Sequence, residues 1–249
     1  MKLFLLSDSL ESVRDDDGNK IAVNIVEKNE FKENLFQLIR NGKKFLFICN
    51  TPEYEEYNEN SAKCIFDALI REGLGYTEYV VLDNRTKDRA KELILGADLI
   101  YIQGGDIDPV LNFLDSVNGR ECLRDTNAVI VGKSAGAMIC SEDIYYYPET
   151  NEQVGHEKWV KGYGYVDITM IPHFTFDKGN MYCFGDFDLL NDYYLPDSIG
   201  HKIYAIPNGS YIMVDSGVTS LYGEAYIISD GKVEKICDDD SSVVLSMKL

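Results

Sequence analysis

No apolar run in these 249 residues reaches the roughly 18 that a membrane-spanning helix requires. No secretory leader is expected either. The apolar start meets Asp8 and Glu11 within a few residues and has no small-residue cleavage site, so the expected location is cytoplasmic. Basic residues are scarce: 24 Lys and Arg stand against 42 Asp and Glu, giving a net charge of −18 and a pI near 4.5. Such a field repels phosphates and anionic lipid surfaces, so neither nucleic acid nor membrane is expected as a partner. The six cysteines lack C-x-x-C or Cys/His spacing and read as reduced structural thiols rather than a zinc site. The acidic runs at 15–17, 53–59 and 238–240 lack the glycine-bearing oxygen-ligand pattern of a calcium loop and read as solvated faces. No internal repeat or low-complexity linker divides the chain. It is expected to form a single domain over residues 1–249, with no metal and no cofactor.

Apolar strand patterns and helical patterns alternate through the first 140 residues. Strands are expected at 2–7, 44–50, 78–82, 98–102 and 128–131. Helices are expected at 30–40, capped by Asn29, at 54–72 with Ile65, Phe66, Leu69 and Ile70 on one face, at 86–95, and from 109 and 121. The segment Phe45-Leu46-Phe47-Ile48 is apolar without alternation, as a strand covered on both faces should be. The order predicts an α/β fold with a mostly parallel, doubly wound sheet whose strand-end loops share one rim. After Cys140 the chain becomes polar and tyrosine-rich. A strand at 166–171 ends at Pro172-His173, and strands at 202–206, 211–214 and 225–229 are separated by Asn-Gly, Ser-Gly and Asp-Gly turns. These read as antiparallel hairpins closing one sheet edge.

The most informative stretch is Gly132-Lys133-Ser134-Ala135-Gly136, which follows the strand at 128–131 and precedes a helix-forming run. This is the G-x-S-x-G pattern of a nucleophile elbow, where a serine on a strained turn needs tiny neighbours two residues to either side. Its plainer reading is a strand-to-helix turn with a capping serine. Gln103-Gly104-Gly105-Asp106 directly follows another strand, and two glycines there let a backbone N–H approach an acyl oxygen. A phosphate loop is not indicated: the third glycine of G-x-G-x-x-G is missing, and Asn127 stands where a P-loop before Gly132-Lys133-Ser134 would need glycine.

A serine nucleophile needs a base. His173 follows a strand and so belongs on the same rim as Ser134; His156 lies in a charged loop and His201 in a surface turn. An acid to orient the histidine could come from Asp143, Glu149, Glu152, Glu157 or Asp167, and spacing does not choose among them.

Three stretches together, residues 100–106, 132–137 and 162–174, resemble the signatures of the S51 serine peptidases, the family of dipeptidase E (alpha-aspartyl dipeptidase) and cyanophycinase. The resemblance extends over roughly residues 1–235, including Tyr222-Gly223-Glu224-Ala225 and Asp230-Gly231-Lys232-Val233. It implies a three-layer, class I glutamine amidotransferase-like sandwich that cleaves small peptides through an acyl-enzyme. The nucleophile would be Ser134 and the general base His173. The acid would be Glu149 when counted from the serine as in dipeptidase E, or Glu152 as in cyanophycinase. Backbone N–H groups of Gly105 and Ala135 would form the oxyanion hole. Lys133, Gly104, Asp106 and Phe174 would contact substrate, and the assembly could be a homodimer.

Two departures bear on specificity. Lys133 occupies a position that is aromatic in dipeptidase E, and either attracts a substrate carboxylate or points to solvent. Dipeptidase E recognises its substrate aspartate with an arginine downstream of the histidine, whereas here no arginine follows Arg124 and Lys178 is the only base at 174–196. Lys133, Lys158, Lys161 and Lys178 are the cations expected near the rim. About half of Tyr145, Tyr146, Tyr147, Trp159, Tyr163, Phe174, Phe176, Tyr182 and Phe184 are expected to wall the pocket. A neutral or apolar residue before the scissile bond is therefore expected. Two other readings remain open: an α/β-hydrolase esterase, which would carry its histidine after the last strand, and a non-catalytic binding domain on the same scaffold.

Overall fold

The computed structural model describes residues 1–8, 10–18, 20–177 and 183–247. Lys178 and Tyr182 lie outside them. The first half of the chain runs β1 (Lys2–Leu6), β2 (Leu10–Arg14), β3 (Lys20–Ile25), α1 (Phe31–Ile39), β4 (Lys44–Ile48), α2 (Glu55–Arg71), β5 (Glu78–Leu82), α3 (Ala90–Gly96), β6 (Leu99–Ile102), α4 (Ile107–Ser116), α5 (Gly119–Asp125), β7 (Val129–Lys133) and α6 (Ala135–Met138). The second half adds β8 (Asp143–Tyr145), β9 (Trp159–Lys161), β10 (Thr169–Pro172), a π-helical turn at Leu189–Tyr194, α7 (Leu195–Asp197), β11 (Lys202–Ile206), β12 (Tyr211–Asp215), β13 (Val218–Tyr222), β14 (Ala225–Ser229), β15 (Lys232–Cys237) and β16 (Ser242–Met247).

Among the described residues the largest sheet has eight strands in the order β16-β13-β12-β1-β7-β6-β4-β5. From β5 to β1 the pairings are parallel, and from β1 to β16 antiparallel. The parallel strands are buried almost throughout, Phe45–Ile48 and Leu99–Ile102 among them, which is why their sequences do not alternate. The chain passes from β5 on one side of β4 to β6 on the other, so the strand order reverses beside β4. The loops after β1, β4, β6 and β7 leave the sheet at one rim. Among the described residues no helix is long and apolar enough to cross a membrane.

The C-terminal strands do more than close an edge. β12, β13 and β16 extend the large sheet, whereas β14 and β15 join β10 and β11 in a separate four-stranded sheet. β1 is already flanked by β7 and β12, so β10 has no place beside it and pairs in parallel with β11, Pro172 opposite Ile206.

Two local expectations are corrected. Glu30, in a left-handed conformation (φ 59°), is the N-cap of α1. The Asn29 amide instead donates to Gly209 O (2.9 Å) and accepts from Asp240 N–H (2.8 Å), tying two distant loops together. On α2, Ile65 and Leu69 are buried but Ile70 is 43% exposed, being about 100° around the helix from Leu69. The polar turn near residue 17 joins a true hairpin, β2–β3, which packs on α2: Asn60 Nδ2 donates to Lys20 O (2.7 Å), and the Arg71 guanidinium donates to Val23 O.

Candidate active site

Ser134 joins β7 to α6 with φ 51° and ψ −117°, a conformation that L-residues rarely adopt and that costs on the order of 1–3 kcal/mol. The turn is held by Ser134 N–H donating to Leu6 O (2.9 Å), and by Ser134 O accepting from Ala137 N–H (2.8 Å) and Met138 N–H (2.9 Å). The flanking glycines are sterically required. A β-carbon at Gly132 would overlap Gly136 O, and one at Gly136 would overlap Ile102 O at the end of β6. The β6 loop comes equally close: a β-carbon at Gly104 would lie 2.9 Å from Lys133 O and 3.0 Å from Ser134 Cβ. Gly105, with φ 138°, lies against the Asn50 amide. Among the described residues, neither Gly105 N–H nor Ala135 N–H is engaged by an acceptor.

His173 leaves β10 with φ 57° and is 5% exposed. Its Nε2 is 3.1 Å from Ser134 Oγ. Its Nδ1 is 2.7 Å from Asn208 Oδ1. The cause is the β10–β11 register: Pro172 lies opposite Ile206, so His173 and the Pro207-Asn208 turn leave the sheet side by side. An amide oxygen only accepts, so Nδ1 carries the proton and Nε2 is left bare to accept from the Ser134 hydroxyl. Ser7, fully buried at the end of β1, links the same groups. Its Oγ accepts from His173 N–H (2.7 Å) and donates to Asn208 Oδ1 (3.1 Å). Burial pulls the His173 pKa below its ordinary value, against the opposing effect of the Asn208 hydrogen bond.

The group beside His173 Nδ1 is thus an amide after β11, and neither carboxylate expected for that place stands there. Glu152 is exposed in the 3-10 turn at Asn151–Gln153, where bonding to Thr150 holds its pKa down. Glu149 lines a recess beside Ser134, in the wall shared with Gly105, Asp106 and Ala135. Burial, aided by the charge of Asp106, pushes its pKa up to about 7. Of the other carboxylates considered, Asp143 pairs with Lys161 (2.6 Å), and Glu157 and Asp167 are exposed. His156 is exposed and His201 stacks on Trp159 with ring centres 3.9 Å apart.

Ser134 and His173 open onto a cleft of about 900 Å³, whose lining includes Gly104, Gly105, Asp106, Lys133, Glu149 and Asn208. Lys133 projects into it but is paired with Asp8 at 2.9 Å. Phe174 takes no part in this wall: its ring is 5% exposed and packs against Phe176, Tyr194 and Tyr226, because the residue after His173 turns back toward the second sheet. Most of the tyrosines nearby are also core, Tyr145 and Tyr163 among them; Tyr146 and Tyr147 line a recess beside Ser134, and Phe184 lines the cleft. The set of cations near the rim needs correction too. The β2–β3 hairpin brings Arg14 and Lys20 into the cleft wall, and Lys28 follows it, none of which lies downstream of the elbow.

Comparison with known proteins follows the same lines. The sequence model of peptidase family S51 matches residues 24–221. No curated protein matches the chain. Among solved structures, a peptidase from an acI-B1 Actinobacterium superposes with a TM-score of 0.65 at 20% identity, covering 98% of this chain and 96% of that one. A candidate peptidase E from Listeria monocytogenes EGD-e gives a TM-score of 0.57 at 18% identity, covering 94% and 98%. At these identities the likeness shows the fold.

Proposed function

The chain belongs to peptidase family S51 and is a serine-type peptidase, and on that premise we propose that it cleaves small peptides through an acyl-enzyme on Ser134, with His173 as general base and Asn208 as the group that orients it. The observation that carries the proposal is the continuous relay Ser134 Oγ, His173 Nε2, His173 Nδ1, Asn208 Oδ1, with steps of 3.1 and 2.7 Å.

In this mechanism His173 Nε2 takes the Ser134 proton as Oγ attacks the scissile carbonyl. Negative charge develops on the carbonyl oxygen, and the N–H groups of Gly105 and Ala135 receive it. Removing one such donor from a serine peptidase typically costs about 2.7–4 kcal/mol of transition-state stabilisation. The imidazolium then gives its proton to the leaving amine. Water, deprotonated by the same histidine, hydrolyses the acyl-enzyme and restores Ser134. The imidazolium is held here by an amide dipole instead of a carboxylate charge, so orientation and tautomer selection are what Asn208 contributes. The α/β-hydrolase alternative needs a histidine beyond the last strand, and none follows His201.

Ser134→Ala should lower kcat/KM on a cleaved dipeptide by roughly 10³-fold or more. The variant should keep the circular dichroism of the parent and lose labelling by a fluorophosphonate probe. Hydrolysis that persists in the folded variant would remove Ser134 from the mechanism.

A further inference from the structure

An asparagine amide can meet a neighbour with either end, because its C=O and NH2 have nearly the same shape. At His173 the choice matters. With Oδ1 toward the ring, Nδ1 must donate and Nε2 is left bare. With the NH2 toward the ring, Nδ1 must accept and the proton moves to Nε2. Nε2–H would then point at Ser134 Oγ, 3.1 Å away, and could not take the serine proton. Asn208 is exposed in the cleft wall, so solvent serves either end of its amide equally. The choice has to come from the buried side, and Ser7 stands there, fully buried at the end of β1. The backbone around Ser7 is tied to the elbow and to the Asn208 turn. Leu6 O accepts from Ser134 N–H (2.9 Å), Ser7 N–H donates to Ser210 O (3.4 Å), and Asp8 O accepts from Gly209 N–H (2.8 Å).

Ser7 Oγ receives His173 N–H at 2.7 Å. A backbone N–H is a donor that cannot be reversed, so the hydroxyl proton has to point elsewhere. Its acceptor among the described residues is Asn208 Oδ1, at 3.1 Å. With the amide reversed, that proton would face an NH2 group in a place closed to water, and a buried donor without a partner is costly. Three donors converge here: His173 N–H, Ser7 O–H and His173 Nδ1–H. All are satisfied together only with Oδ1 inward. Resting on the mechanism proposed above, we propose that Ser7 is a positioning residue: it relays the fixed direction of the His173 N–H through its hydroxyl to Asn208, and so selects the His173 tautomer that can take the Ser134 proton. The relay is needed because the partner is an amide. A carboxylate has two accepting oxygens and no wrong end, so it would hold the same tautomer without Ser7.

The test is a double-mutant cycle on Ser7→Ala and Asn208→Asp, with Ser7→Thr as the conservative variant. Each protein is assayed for kcat and KM on a cleaved dipeptide. The His173 tautomer is read by ring-nitrogen NMR at a pH where the ring is neutral, its signals identified by their loss in His173→Gln. The parent should carry the proton on Nδ1. Ser7→Ala should lower kcat by roughly tenfold or more with KM within about twofold, and should populate the Nε2–H tautomer; Ser7→Thr, which keeps the hydroxyl, should retain Nδ1–H. In the Asn208→Asp background the same Ser7→Ala change should lower kcat by less than about threefold and leave the proton on Nδ1. If the alanine variant fails to fold, Ser7→Cys gives the same comparison, since a thiol is only a weak donor. A Ser7 that serves packing alone would cost the same factor in both backgrounds and leave the tautomer unchanged, and that result would overturn the proposal. So would a parent with its proton on Nε2, a measurement that needs no variant to fold. If either is found while the parent hydrolyses peptides and Ser134 is labelled by a fluorophosphonate, the peptidase reading stands; a folded parent that does neither would overturn both.

Discussion

Replacing Asn208 by aspartate should move the pH dependence of the enzyme in a direction that the present geometry dictates. In the native site His173 must be neutral at Nε2 to accept the serine proton. Burial depresses its pKa below the ordinary value of 6.5, so activity should climb through an acid limb below that pH and level off above it. Asn208 Oδ1 accepts from Nδ1 at 2.7 Å and carries no net charge. A carboxylate in the same place leaves the tautomer unchanged and adds a charge-assisted bond, about twice as strong as a neutral one. An opposite charge at this range raises a histidine pKa by about 1–3 units, and each unit corresponds to about 1.36 kcal/mol of added preference for the imidazolium. The acid limb of kcat/KM should therefore move up by at least about one unit. Above the limb the rate should hold or rise, by up to roughly tenfold per unit, since the imidazolium forms in the transition state.

Asn208→Ala should act in the opposite sense. It removes the acceptor for two buried donors, His173 Nδ1–H and the Ser7 hydroxyl. Leaving each without a partner costs about 1–3 kcal/mol, and the ring is then free to take the other tautomer. A loss of about 2–4 kcal/mol corresponds to a fall of roughly 30- to 1000-fold in kcat/KM. The assay is steady-state hydrolysis of a dipeptide from about pH 5 to 9, paired with the NMR titration of the His173 ring. If the aspartate variant folds and its acid limb stays within a few tenths of a unit of the parent, Asn208 does not face Nδ1 during turnover.

Two further outcomes follow from single positions. Gly136→Ala drives a β-carbon into Ile102 O, a backbone atom that cannot swing aside, and should cost roughly 3 kcal/mol, or about 6–12 °C in Tm for a chain of this size; a loss under 1 °C in a thermal melt would contradict the close approach of α6 to β6. Ala-Leu should exceed Asp-Leu in kcat/KM by tenfold or more, about 1.4 kcal/mol, because Glu149 and Asp106 repel an acidic side chain on the acyl side; the reverse order would mean that Lys20 or Lys133 takes that side chain instead.

How far the site could be read from sequence depends on whether its parts are local. The elbow was legible because its cause is local: Gly132 and Gly136 are demanded by contacts within one strand-turn-helix unit and the adjoining end of β6. The Gly104-Gly105 turn and His173 were legible as residues that directly follow apolar strands. Ser7 and Asp8 satisfy the same rule at the end of β1, and reading that position as simply the end of a strand passed over both. Asn208 is a different case. It is joined to His173 only through the β10–β11 register, and its turn, Pro207-Asn208-Gly209, has an ordinary turn sequence. The carboxylates between Ser134 and His173 are the residues that spacing offers, whereas the group beside His173 Nδ1 is an amide from a later turn. The half-exposed strands β2 and β15 escaped for a related reason: their apolar positions are too few to stand out from a loop.

That last omission has the largest functional consequence. Without β2–β3, the chain offers Lys28 as the one upstream cation for the cleft among the described residues, and the absence of arginine after Arg124 reads as a site poor in positive charge. With the hairpin folded onto α2, Arg14 and Lys20 enter the cleft wall, while Glu149 and Asp106 line the recess beside Gly105 and Ala135. The expectation of a neutral residue before the scissile bond then rests on a different cause. It no longer requires the cleft to lack cations. It requires only that two carboxylates, Glu149 and Asp106, line the recess beside Gly105 and Ala135. The charge that decides specificity is therefore its position along the bound peptide, which the net charge of −18 does not reveal.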